Sequence, residues 1–176
     1  MGPWRRLRDR ITRWRATRPT AAPARGPRVA VAFDSTAHTW LFRVARERVA
    51  ISEFCGTLEK RLPRDYAGPD TLHAFQVAFD ELLTNVVMHA DGPDATPIEI
   101  LLKRDAQQVT AVLRYRADAF DPTVRDAPDT DAPLTERGIG GLGVHLVRNL
   151  MQRFDHRYVD GWNEITLARP RDPAVT

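Results

Sequence analysis

The sequence predicts an α+β fold: a two-layer sandwich whose mixed, largely antiparallel sheet carries its helices on one face. Three observations predict it. The elements run strand, helix, helix, two strands, helix, two strands. The two pairs of strands are separated by Asp105-Ala106-Gln107 and by Asp160-Gly161-Trp162-Asn163, which suit hairpin turns. The helical stretches are one-sided, with apolar residues at helical spacing and polar residues opposite them.

Val29-Ala30-Val31-Ala32-Phe33 is the first expected strand. Asp34, Ser35 or Thr36 suits a helix cap, and a helix is expected from there to about Arg61, with Trp40, Leu41, Val44, Val49, Phe54 and Leu58 on its apolar side. The loop Pro63 to Pro69 follows, and Asp70 or Thr71 caps a second helix that stops before Asp91-Gly92-Pro93. Strands are expected at Pro97–Lys103 and Val109–Arg116. Residues 119–137 hold three prolines and five acidic residues and are expected to form a mobile lid. A glycine-led helix over 141–152 and strands at Phe154–Val159 and Glu164–Arg169 complete the fold, with a loose tail from 170 to 176.

The second helix carries a polar stripe. Glu81, Asn85 and His89 recur every four residues and so stack on one face, while Phe75, Phe79, Leu82 and Val86 take the other. The plain reading is an amphipathic helix whose polar face meets water. A second motif weighs against it. Arg137-Gly138-Ile139-Gly140-Gly141-Leu142-Gly143 puts four glycines into six residues and leads directly into a helical pattern. Glycine lets the backbone approach a ligand closely, and a helix N-terminus presents free N–H groups, so together they make a phosphate cradle. The match to G-x-G-x-x-G alone is weak, because a dinucleotide fold needs a strand immediately before it and a Pro/Asp/Thr loop stands there.

Together, E-L-x-x-N-x-x-x-H-A from Glu81, F-D-P from Phe120 and G-I-G-G-L-G from Gly138 resemble the bacterial anti-sigma-factor serine kinases of the RsbW/SpoIIAB type, which belong to the Bergerat-fold ATPases. The resemblance spans roughly residues 28–169. It implies that ATP and Mg²⁺ are cofactors and that Glu81 is the general base. It implies that Asn85 ligates the metal and that Gly138, Gly140, Gly141, Leu142 and Gly143 line the phosphates. Arg137 is expected to face the phosphates or hold the lid, His89 to lean towards phosphate or pack beneath the site, and Thr166 to read the adenine. Mg²⁺ keeps several waters and needs only one or two protein ligands, which suits Asn85. The implied partners are a STAS-type anti-anti-sigma protein, a sigma factor, or both, with a homodimer as a further expected assembly.

One strand departs from the family pattern D-x-G-x-x-F-D-P. Aligned on Phe120-Asp121-Pro122, Tyr115 stands where the adenine-binding aspartate belongs and Ala117 where the glycine belongs. Asp118 falls out of register and faces the opposite side if the strand continues. Two functions therefore compete: a kinase acting on a serine of its partner, and a nucleotide-impaired module that regulates by binding alone.

Composition bounds the rest. At 176 residues and 43% apolar the chain is long enough for one domain with a real core. The single cysteine, Cys55, excludes an internal disulfide framework and reads as a small buried hydrophobe. No apolar run reaches membrane-spanning length and no stretch near the start resembles a secretory signal, so a cytoplasmic location is expected. Residues 1–28 hold nine arginines against one aspartate, a net +8, so the overall +3 leaves −5 for the remainder. An acidic domain argues against direct nucleic-acid binding. Three regions follow: a basic arm and linker at 1–27, the ATPase-like domain at 28–169 and a tail at 170–176. In the arm, residues 3–18 space Trp4, Leu7, Ile11 and Trp14 among arginines, a pattern suited to an anionic membrane surface or an acidic partner.

Overall fold

The computed structural model describes residues 27–91, 96–124 and 142–172. In chain order these form β1 (Val29–Asp34), β2 (Thr39–Val44), α1 (Arg48–Arg61), α2 (Arg64–Ala67), α3 (Pro69–His89), β3 (Ile98–Arg104), β4 (Gln108–Arg116), α4 (Leu142–Leu150), β5 (Arg153–Val159) and β6 (Trp162–Pro170). The strands make one sheet in the order β1-β2-β3-β4-β6-β5. Every pairing among the described residues is antiparallel, so the sheet is not mixed as expected. Hairpins make the β1-β2, β3-β4 and β5-β6 pairs, and the longer connections through the helices bring β3 back beside β2 and β6 beside β4 in the same antiparallel sense. Asp160 and Gly161 both take positive φ, 52° and 78°, which closes the last hairpin with a two-residue turn.

The helix expected from residues 34–36 to Arg61 begins only at Arg48, because Thr39–Val44 is strand β2. Thr-Trp-Leu-Phe-Arg-Val is rich in β-branched and aromatic residues. Asp34 does act locally: its Oδ1 accepts from the N–H and the hydroxyl of Thr36, which starts the turn between β1 and β2. Strand alternation then divides the side chains. Trp40, Phe42, Ile100, Leu102, Ala111, Leu113, Ile165 and Leu167 join the core with Phe54, Phe75, Phe79 and Leu82 of the helices. Phe42 meets Phe54 edge-on at 5.2 Å, and Phe54 meets Phe79 edge-on at 5.3 Å, so one aromatic chain links β2, α1 and α3. Each such side chain contributes about 1.5–3 kcal/mol by burial. On the other face of the sheet, Leu41, Leu101 and Val112 form a smaller cluster. Beside it runs a row of ion pairs from Arg43 through Glu99, Arg114 and Glu164 to Arg157.

α3 is held at its start by the far end of the chain. Neither Asp70 nor Thr71 caps it. Asp172 Oδ2 accepts the N–H groups of Asp70 (2.9 Å) and Thr71 (3.1 Å), and the Thr71 hydroxyl donates to Asp172 Oδ1 (2.7 Å). Gly68 makes room for that carboxylate: its φ is +85°, and a Cβ there would lie 2.3 Å from Asp172 Oδ2. Residues 171 and 172 are therefore not part of a loose tail. Cys55 is half-buried on α1, and burial pushes its thiol pKa up, as suits a packed side chain. No helix among the described residues is long and apolar enough to cross a membrane. The basic arm and linker of residues 1–26, the expected lid beyond Val124 and the end of the tail lie outside the described residues.

Candidate functional site

α3 and α4 pack side by side, α4 also against β5, and a cavity of about 180 Å³ opens between these helices, the end of β4 and β6. Leu82, Asn85, Val86 and His89 of α3, Val144 of α4, Tyr115 of β4 and Ile165 of β6 line it, and Asp91, Asp118, Ala119, Phe120 and Pro122 complete the lining. Whole-ligand sites usually enclose ~300–1,000 Å³, so this cavity suits one part of a larger molecule. The polar stripe of α3 thus meets the cavity through Asn85 and His89. His89 is exposed rather than packed beneath the site.

Glu81, one turn earlier, points elsewhere. A Cβ placed on Gly143 would come within 1.8 Å of Glu81 Oε2 and 2.3 Å of its Cδ. The carboxylate therefore lies against the first turn of α4, where unpaired N–H groups favour negative charge. Only a glycine at 143 leaves it that room. Leu142 opens α4, while Arg137, Gly138, Gly140 and Gly141 lie outside the described residues.

Tyr115 forms the apolar floor of the cavity and is 2% exposed. Burial pushes its hydroxyl pKa up to about 12, against the opposing charge of Arg46. Arg46 closes the base of the site: it donates to the carbonyls of Val86 and Ala90 at the end of α3 and to that of Arg116 at the end of β4. The Asp118 N–H donates to the Asp91 carbonyl at 3.0 Å, so the two walls also meet at this point.

The outward orientation of Asp118 is expected only for a strand that continues, and this strand does not. β4 ends at Arg116, strand alternation ends with it, and Asp118 turns to the cavity. Ala117 is buried behind the wall and does not line the cavity. Thr166 is not brought to the site either. It pairs with Val112, a member of the cluster on the opposite face, and its neighbour Ile165 takes the inward place.

Sequence reasoning passed over Asn163, the fully buried polar residue behind this wall. The inward positions of β6 are Asn163, Ile165 and Leu167, so an amide on an otherwise apolar face was the available signal.

Residues 44–169 match the family described as the histidine kinase-like ATPase domain. The chain belongs to this family. Its likeness to the RsbW/SpoIIAB type of kinase points to the same place. This histidine kinase-like ATPase domain is 32% identical over 95 residues to the serine/threonine-protein kinase BtrW of Bordetella bronchiseptica, which covers 53% of this chain and 67% of the relative. An ATPase domain implies ATP binding, and the geometry agrees in three respects: a cavity of part-ligand size, an amide on its wall and a glycine at the start of α4. Among the described residues no group of three or more His, Cys, Asp or Glu side chains is arranged to hold a metal ion.

Proposed function

We propose that this domain is an ATP-dependent protein serine kinase that phosphorylates a STAS-type anti-anti-sigma partner and sequesters a sigma factor by partner switching. One observation carries the catalytic part: the order of groups along α3. Glu81 lies at the first turn of α4, Asn85 lines the cavity one turn on, and His89 lines it a turn further. That order supports a reading with the carboxylate at the phosphate end, an oxygen ligand beside it and an apolar chamber for the base at the far end. BtrW is a serine/threonine-protein kinase, which supports the same chemistry here.

Bound ATP with Mg²⁺ would supply the phosphoryl group. Glu81 would accept the proton of the partner's serine hydroxyl as its oxygen forms the new bond to phosphorus and ADP leaves with the electrons of the broken bond. Asn85 would orient the metal. The cytoplasm, where ATP and sigma factors meet, is the proposed location. A specific observation favours a second reading, in which the domain binds partners but holds nucleotide poorly: a tyrosine, not a carboxylate, forms the cavity floor. Calorimetry with ATP and ADP, with and without Mg²⁺, separates the two. Glu81→Gln keeps shape and removes the base, so it should bind ATP like the parent and lose transfer to a serine partner. Transfer at the parent rate would remove Glu81 from the role.

A further inference from the structure

We propose that Asn163, steadied by His156, is the positioning residue for the wall of the base chamber and so sets affinity for the base of the nucleotide. The inference rests on the nucleotide reading of the cavity and names residues that reading does not use.

The Asn163 side chain is fully buried, and it sits directly across from Tyr115 in the β4–β6 pairing, on the cavity side of the sheet. Its Oδ1 accepts the Phe120 N–H at 3.0 Å and lies 2.9 Å from His156 Nε2. Its Nδ2 donates to the Asp118 carbonyl at 2.9 Å and reaches the Ala117 carbonyl at 3.5 Å. An amide has two donor hydrogens and two acceptor lone pairs, and all four are engaged. Three of the four bonds go to the backbone at residues 117, 118 and 120, the stretch where β4 has ended and no strand partner remains. Asp118 and Phe120 line the cavity, so one side chain supplies the hydrogen bonds that a sheet neighbour would otherwise give this wall.

His156 is the outer support. Its side chain is 6% exposed, and because Asn163 Oδ1 is an acceptor, the hydrogen-bond network assigns the proton to Nε2. Its Nδ1 lies 3.6 Å from Asp121 Oδ1, which also accepts from the N–H and the hydroxyl of Thr123. Asn163 therefore bonds the end of the wall to β6, His156 of β5 bonds Asn163 from behind, and Asp121 holds Thr123 beside them. Neither His156 nor Asn163 lines the cavity, so their effect on a ligand must pass through the wall.

The test is titration calorimetry of the full chain with Mg·ATP and with Mg·tripolyphosphate, which has the phosphates and lacks the base. Asn163→Ala should weaken ATP binding about ten- to a hundredfold and leave tripolyphosphate binding within about twofold. His156→Ala should weaken ATP in the same selective way by a smaller factor. His156→Gln, whose amide can donate to Asn163 Oδ1, should recover it. If Asn163→Ala fails to fold, the two His156 variants decide, because that residue is further from the core. Equal losses for ATP and tripolyphosphate, or parent-like ATP affinity in both alanine variants, would overturn the positioning role. A parent protein that binds tripolyphosphate and shows no gain from the base would overturn it as well. A parent that binds neither ligand defeats the nucleotide reading itself, a result distinct from any of these.

Discussion

Gly143→Ala tests the contact on which the catalytic assignment rests. The added methyl would fall 1.8 Å from Glu81 Oε2 and 2.3 Å from Cδ, where ordinary contact is ~3.5 Å, so the carboxylate must retreat by more than about 1 Å. The atoms that must move are the far end of a flexible side chain, and a displaced rotamer costs about 0.5–1.5 kcal/mol. Alanine gains up to about 1 kcal/mol over glycine in helix propensity, which largely offsets that cost. Stability should therefore change little, with a melting temperature within a few degrees of the parent. Catalysis is more exposed to the change, because a misplacement of about 1 Å at a reacting group can slow a reaction roughly a hundredfold, equivalent to about 2.7 kcal/mol of barrier. Single-turnover phosphoryl transfer, ADP affinity and thermal melting, measured on the same preparation, separate the possibilities. The expected pattern is slow transfer, near-parent ADP affinity and a near-parent melting point. Transfer at the parent rate refutes the geometry, and a large fall in melting temperature shows that more than Glu81 has moved.

Asn85→Ala should fold normally and lose the Mg²⁺-dependent part of its ATP affinity; equal calorimetric titrations with and without the substitution would remove the metal role. Asp172→Ala deletes the cap of α3 and should cost about 0.5–2 kcal/mol in denaturant unfolding. Burial disfavours the Asp172 carboxylate, but hydrogen bonds from Thr71 and Asp70 outweigh it and leave the pKa below its ordinary value. A depressed folded pKa means stability that is present above the unfolded pKa and lost as pH falls through the folded one. The parent should therefore lose this contribution in acid, and the variant's unfolding free energy should converge on the parent's below pH ~4; a gap that stays constant with pH would rule the carboxylate out. Removal of residues 1–27 should weaken salt-sensitive binding to anionic vesicles and leave domain melting unchanged, and cosedimentation at two salt concentrations checks it.

Much of this arrangement was legible because it is periodic. The spacing of Phe75, Phe79, Leu82 and Val86 against Glu81, Asn85 and His89 gave both faces of α3, and all four apolar residues are buried. Strand β2 was not legible. Trp40, Leu41 and Val44 also fit a helical stripe, and only pairing with β1 and β3 decides between the two periods. The α3 cap lay beyond local reasoning too, because its acceptor is supplied a hundred residues away in sequence by Asp172.

The base chamber mixes both cases. Alternation along β6 from Leu167 and Ile165 places Asn163 inward and Thr166 outward, so sequence parity alone could have moved attention from the threonine to the asparagine. The position of Asp118 had no such route. It follows from where β4 stops, and that stop is fixed by tertiary bonds: the Asp118 N–H to Asp91 and the Asn163 amide to residues 117 and 118. The departure from the family pattern at Tyr115 and Ala117 thus has a structural counterpart. The large ring fills the floor and leaves no inward carboxylate on β4, and the chain beyond it is turned so that Asp118 reaches the cavity. Replacing Tyr115 by aspartate would bury a charge where a ring now packs, with the Arg46 guanidinium as the nearby opposite charge.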